Sequence, residues 1–226
     1  MRLMIDLCKA GPEKGLIRWS DEPTVFASGA KSRVVVSGRE DLTENPSLLL
    51  RVGEEIAGAV MRLQINTPGP GRQPCLIGIP AAGTPLAAAA SLWAIRYRPN
   101  WNLCFRQMRQ KHKDHGRPEH RRWVDGKPDQ IAHQYFTVDN TITDGGSKLE
   151  TIERLKEDKY PVGGMAHIIL VDRQEGGVER LRKQGIKVVP IFSLSDIICL
   201  LEQEEIWPKK IIAQIRGELA SGSPAV

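Results

Sequence analysis

Six short apolar runs, at residues 33–36, 75–79, 102–105, 134–138, 166–171 and 187–192, restrict how this chain can fold more than any other feature. Each has the length of a buried strand, and helical periodicity fills several of the gaps between them. Residues 46–63 open with a proline in the first turn and repeat apolar side chains at Leu49, Leu50, Ile56 and Val60. Residues 85–93 are rich in alanine, and residues 146–158 carry Leu149, Ile152 and Leu155 on one face. A helix over 178–184 stops at Gly185, and one over 193–203 opens with Ser193-Leu194-Ser195-Asp196, a favourable N-cap. Short strands alternating with helices predict an α/β fold, with a central, mostly parallel sheet flanked by helices. In such sheets ligands bind at the C-terminal ends of the strands.

The run at 134–138 ends in an unusual way. Phe136-Thr137-Val138 leads through Asp139 and Asn140 into Thr141-Ile142-Thr143-Asp144-Gly145-Gly146-Ser147 and then into a helix. Backbone N–H groups and hydroxyls at a helix N-terminus favour an anion. An acidic residue at the strand end can hold a ribose hydroxyl or a metal. Together they suit a sugar phosphate. A second glycine-rich turn, Gly78-Ile79-Pro80-Ala81-Ala82-Gly83-Thr84-Pro85, follows the run at 75–79 and lets backbone approach a charged ligand closely.

The chain has 226 residues and a net charge of +5, enough for one core and one domain over 1–226. The positive excess is local. Residues 106–129 hold eight Arg or Lys against four Asp or Glu, with three of the five His. Aromatic residues are only 5% of the chain and form no RNA-binding pattern, so a polyanionic small substrate is expected rather than nucleic acid. No run of about 18 apolar residues predicts a membrane span, and the first residues lack a signal-peptide core. Cys8, Cys75, Cys104 and Cys199 form no Cys-x-x-Cys pair, which predicts reduced thiols and a cytoplasmic location without zinc. Residues 66–74 read as a surface connector, 107–130 as a long mobile loop and 221–226 as a frayed tail.

Five segments in one order resemble the orotate phosphoribosyltransferases of the type I phosphoribosyltransferase family, which use 5-phosphoribosyl-1-pyrophosphate (PRPP). Phe26-Ala27-Ser28-Gly29-Ala30-Lys31-Ser32 is similar to an N-terminal element of that family, although a turn before a strand would use the same residues. Residues 78–86 resemble its pyrophosphate loop, with Ala82 where some members carry Lys. Arg109, Lys113, Asp114, His115 and Gly116 match its mobile catalytic loop, with Gln110 replacing a Lys. Asp139, Thr143 and Gly145 match the ribose-phosphate loop, with Asn140 replacing its second acid. Asp172-Arg173-Gln174-Glu175 matches the segment that contacts orotate.

The resemblance implies a type I phosphoribosyltransferase fold with a small hood formed by 1–40 and the C-terminal region. It implies transfer of 5-phosphoribosyl from PRPP to orotate, with Mg2+ held mainly through substrate. Lys113, His115, Asp139 and Arg109 are the implied catalytic residues. Ala82, Gly83, Asp139, Asn140, Thr141, Ile142, Thr143, Asp144, Gly145, Gly146 and Ser147 are the implied PRPP contacts, and Arg173, Thr143 and Ser28 the implied orotate contacts. Asp144, beside the phosphate position, is expected to point away from it. A homodimer is implied, the loop at 107–116 reaching the neighbouring site. Asn140 keeps a hydrogen-bonding amide but loses a charge, so Asn140→Asp is expected to raise the rate. A non-catalytic PRPP sensor on the same fold, or a transferase for another base, are the alternative readings.

Overall fold

The computed structural model describes residues 2–8, 16–25, 31–38, 40–65, 71–113, 115–117 and 120–220. Its centre is a five-stranded sheet of β3 (Gln73–Gly78), β4 (Cys104–Gln107), β5 (His133–Ile142), β6 (Ala166–Asp172) and β7 (Lys187–Ser193). The spatial order is β4-β3-β5-β6-β7 and every pairing is parallel. Burial on both faces accounts for the uninterrupted apolar runs. In β3, Leu76 belongs to one core cluster while Cys75 and Ile77 belong to a second. In β6, Ala166, Ile168 and Leu170 face the first cluster and Ile169 a third.

The helices cover those faces: α3 (Pro46–Ile65), α4 (Gly83–Tyr97), α5 (Gly146–Glu157), α6 (Gly177–Lys183) and α7 (Leu194–Gln203). All five were legible from periodicity, with ends shifted by a few residues. The chain runs from β3 outward to β4, then crosses back to β5 on the other side of β3. This reversal creates a crevice between the ends of β3 and β5, where open α/β sheets bind ligands. Two glycines set the depth of that crevice. A Cβ on Gly83 would lie 2.1 Å from the Val138 carbonyl oxygen, and one on Gly177 would lie 2.2 Å from that of Thr143. Only glycine lets α4 and α6 start this close to the end of β5.

The N-terminal part contains the strand read at 33–36, now β2 (Lys31–Val36), together with elements absent from the sequence reading. Helix α1 (Arg2–Cys8) precedes an antiparallel pair, β1 (Ile17–Val25) and β2. A short α2 (Glu40–Thr43) leads into α3, and α8 (Lys209–Ala220) packs against α7 and β2. Leu7, Ile17, Trp19, Val34, Ile212 and Ile215 share one apolar cluster with Leu76 and Ile168, so the pair and the main sheet rest on a continuous core. Strand β1 was hidden because its alternation breaks after Trp19, where the pairing register shifts before Thr24.

Two segments differ from their expected form. Strand β5 runs four residues beyond 138, because β6 continues alongside it and pairs Thr141 with Val171 and Ile142 with Asp172. Asp139 to Ile142 are therefore strand, and only residues 143–145 are loop. The expected loop at 107–130 is pinned over its second half. Val124 is fully buried, and its N–H donates to Asp158 Oδ2 at 2.8 Å. Trp123 donates to Glu157 at 2.6 Å and lies 4.3 Å beneath the Arg154 guanidinium. Apolar Trp123 and Val124 give this charged stretch an anchor on the end of α5.

Candidate active site

A cleft of about 880 Å3 opens at the ends of β3 and β5. The β1–β2 pair roofs it with Arg18, Val35 and Ser37, and the turns after β3 and β5 form its floor. In the first turn, Ile79 N–H donates to the Val138 carbonyl at 3.0 Å and Gly83 N–H to the Ile79 carbonyl at 2.8 Å. The Pro80–Ala81 peptide is cis. Buried Ala82 stands at the start of α4 and offers no side-chain cap.

The second turn holds the main electrostatic feature. Asp139 is buried at the end of β5, and its Oδ2 accepts from the buried ammonium of Lys148 in the first turn of α5. Its Oδ1 accepts from the Asn140 N–H at 2.8 Å. Lys148 also reaches Ser147 Oγ at 3.4 Å. An ion pair this buried stands only when both charges are met by partners, since a lone one would bear the full desolvation cost. The Asn140 amide does not stand free in the cleft: its Nδ2 donates to the Ser37 carbonyl at 2.7 Å. The Thr141 hydroxyl is buried with no hydrogen-bond partner among the described residues.

Asp144 departs from its expected outward course. Its side chain is half-exposed, but Oδ1 bends back to accept from Gly146 N–H at 3.2 Å and from the Thr143 hydroxyl at 3.4 Å. The amides at the start of α5 are donors that lack helical partners, and a nearby carboxylate satisfies one of them. Arg180, from α6, faces the same carboxylate at 3.3 Å.

Arg173 follows β6 and is buried on the cleft wall. Its Nη1 donates to the Val34 carbonyl and its Nε to Glu175, both at 2.6 Å. Beneath the cleft, fully buried Thr137 and His167 share a 2.7 Å hydrogen bond. Burial, aided by the nearby Lys148 charge, pushes the His167 pKa down to about 4.

The structure thus brings Ala82, Asp139, Asn140, Thr141, Thr143, Asp144, Gly146, Ser147 and Arg173 to one cleft. Gly83 and Gly145 lie at the starts of α4 and α5, and Ile142 is buried in the core behind them. It does not bring Arg109, Lys113 or His115 there. Arg109 pairs with Asp125 across its own loop, and its N–H donates to the Trp123 carbonyl at 2.7 Å. His115 is exposed and Lys113 partly so. Ser28 and Asp114 lie outside the described residues. Sequence reasoning missed Lys148, His167, Arg18 and Ser37. A lysine inside a helix start beside a required acid was the available signal for Lys148.

The carboxylates do not provide a seat for a divalent cation. Asp139 is engaged by Lys148, position 140 carries no charge, and no group of three metal-ligating side chains occurs among the described residues. Mg2+ would have to be carried by the oxygens of its substrate.

A switch-point cleft beneath an N-terminal antiparallel hood, with a Thr/Gly loop after the third sheet strand, places this chain in the type I phosphoribosyltransferase class. The orotate phosphoribosyltransferase of Sorangium cellulosum is 34% identical over 173 residues, covering 74% of this chain and 85% of that protein. The fold matches the solved orotate phosphoribosyltransferase of Francisella tularensis with a TM-score of 0.67 at 15% identity, over 97% of this chain and 98% of that one. It also matches the UMP synthase of Leishmania donovani with a TM-score of 0.72 at 21% identity, over 96% of this chain but 42% of that longer one. No protein-family model matches the chain. The chain belongs to the orotate phosphoribosyltransferase family.

Proposed function

We propose that this protein transfers the 5-phosphoribosyl group from PRPP to orotate, giving orotidine 5′-phosphate and pyrophosphate. The observation that carries the reading is Arg173, a buried guanidinium on the wall of the cleft that also holds Asp139 and Thr143. A guanidinium suits the carboxylate edge of orotate through paired hydrogen bonds. Asp139 positions the ribose, supported by Asn140, Thr141 and Ile142 on the same strand end. Thr143, Gly145, Gly146 and Ser147 cradle the 5′-phosphate, which displaces the Asp144 carboxylate from the Gly146 amide. Ala82 and Gly83 receive the pyrophosphate through backbone. Thr143, and Ser28 from the N-terminal segment, complete the orotate contacts.

In the reaction the bond from ribose C1 to the pyrophosphate oxygen breaks and orotate N1 bonds to C1. The orotate N1 proton is released to solvent. Positive charge develops on the sugar, beside Asp139, and negative charge on the departing pyrophosphate. Arg109, Lys113 and His115 meet that pyrophosphate from a neighbouring subunit, which fits a cleft lining in this chain that does not include them. The proposed assembly is a cytoplasmic homodimer. Exposed Leu92, Ile95 and Tyr97 on α4 give it an apolar surface to cover. Any Mg2+ would arrive on the substrate's oxygens rather than on protein carboxylates.

One observation favours a second reading. The Lys148 ammonium and the amide at 140 leave the ribose position without net negative charge, as in a binding protein that does not promote a cationic sugar. Pyrophosphate release from PRPP, with and without orotate, separates the two. Orotate-dependent release supports the transferase, whereas tight PRPP binding without release under any condition supports the sensor.

A further inference from the structure

Lys148 is a buried cation of the cleft to which the proposed function gives no role. It lies on the cleft surface, is 4% exposed and pairs with the acid assigned to the ribose. Its ammonium has three donors, of which Asp139 and Ser147 take two among the described residues. The third is available to a ligand oxygen.

PRPP is strongly anionic, and moving it into a protein cleft is costly unless cations meet it there. A divalent ion chelated by the ribose hydroxyls and pyrophosphate can serve that need, and protein carboxylates nearby then favour the ion. Here the local charges cancel. Asp139 contributes −1, Lys148 +1 and Asn140 nothing, for a sum of zero. A divalent ion next to Asp139 would also stand beside an ammonium already holding that carboxylate, and like charges at such range repel.

We propose that Lys148 is a substrate-binding cation, taking the position beside the ribose that a divalent metal would otherwise fill, so that PRPP binds this protein without magnesium. This rests on the reading of the cleft as a PRPP site. The ammonium stays on Asp139 and extends its third donor to the ribose or pyrophosphate oxygens. Asp139 fixes where the cation sits, and the fixed cation replaces a diffusible one.

The test is calorimetric titration of the full-length protein with PRPP, in EDTA and in excess MgCl2, which needs no turnover. The parent dissociation constant should differ by less than about fivefold between the two conditions. Lys148→Met should weaken PRPP in EDTA by about tenfold or more, and MgCl2 should recover part of that loss. Because Lys148→Met strands a buried carboxylate, Lys148→Gln, whose amide can still donate to Asp139, provides an uncharged companion. Its circular dichroism and melting should match the parent, and it should show the same weakening in EDTA. A fivefold or larger loss of parent affinity in EDTA, or parent-like binding by a folded variant in EDTA, overturns the role of Lys148 alone. If the parent binds no PRPP under either condition, the PRPP-site reading itself fails.

Discussion

Asn140 Nδ2 donates to the Ser37 carbonyl at 2.7 Å, so the amide that replaces an expected acid ties the roof of the cleft to its floor. This changes what a carboxylate at 140 would do. Asn140→Asp would remove the donor and set an anionic oxygen against a carbonyl oxygen. Losing such a bond and leaving the acceptor unmet costs about 1 to 3 kcal/mol. We therefore expect Asn140→Asp to lower stability in urea unfolding and to slow turnover, reversing the expectation from sequence alone. A faster enzyme of unchanged stability would show that the amide's tie to Ser37 has no consequence.

Arg173 also reaches the hood, through the Val34 carbonyl, while its Nε donates to Glu175 two residues further on. Arg173→Ala should weaken orotate by about a hundredfold while altering PRPP affinity severalfold at most, since the phosphate loop lies on another strand. Calorimetry with each ligand measures both. Mixed dimers of Arg173→Ala and Lys113→Ala subunits should regain part of the activity if loop and cleft come from different subunits. Verified mixed dimers without recovery would place the loop's action within one chain.

His167 makes stability depend on pH. Its folded pKa of about 4 lies below the ordinary histidine value near 6.5, so the unfolded chain binds the proton more readily. The neutral ring's contribution is present above about pH 6.5 and is lost as pH falls towards 4. From pH 7 to pH 5 the loss should be about 2 kcal/mol. His167→Asn, which can still bond Thr137, should flatten that part of the pH profile in urea unfolding. An unchanged slope would assign the acid sensitivity to other groups.

Cys104 pairs in register with Cys75 on the neighbouring strand, and both thiols are free. The hydrogen bond from Cys75 brings the Cys104 thiol down to about 7, with Arg106 adding to the effect. Iodoacetamide labelling of Cys104, followed by mass spectrometry, should rise with pH about a midpoint near 7. Cys75→Ala should move the midpoint upward, towards the ordinary thiol range near 8.5. An unmoved midpoint would remove Cys75 as the cause.

Strand runs, helix periodicity and the Thr/Gly loop were legible because each is written in residues adjacent along the chain. Burial on both faces demands a continuous apolar run such as that in β6, and a helix start after Gly145 demands small residues, whatever lies elsewhere. The anchoring of Trp123 and Val124 on α5 was not legible, because it depends on Glu157 and Asp158, more than thirty residues away. Lys148 could be read as an ordinary solvated lysine until the close start of α5 against β5 buried it beside Asp139. Asn140 read as a missing charge until the hood brought the Ser37 carbonyl, 103 positions earlier in the chain, within reach of its amide. Local geometry follows from short-range sterics and hydrogen bonding along the backbone. The meaning of a buried polar group follows from its partner, and only the packed sheet and hood decide which partner that is.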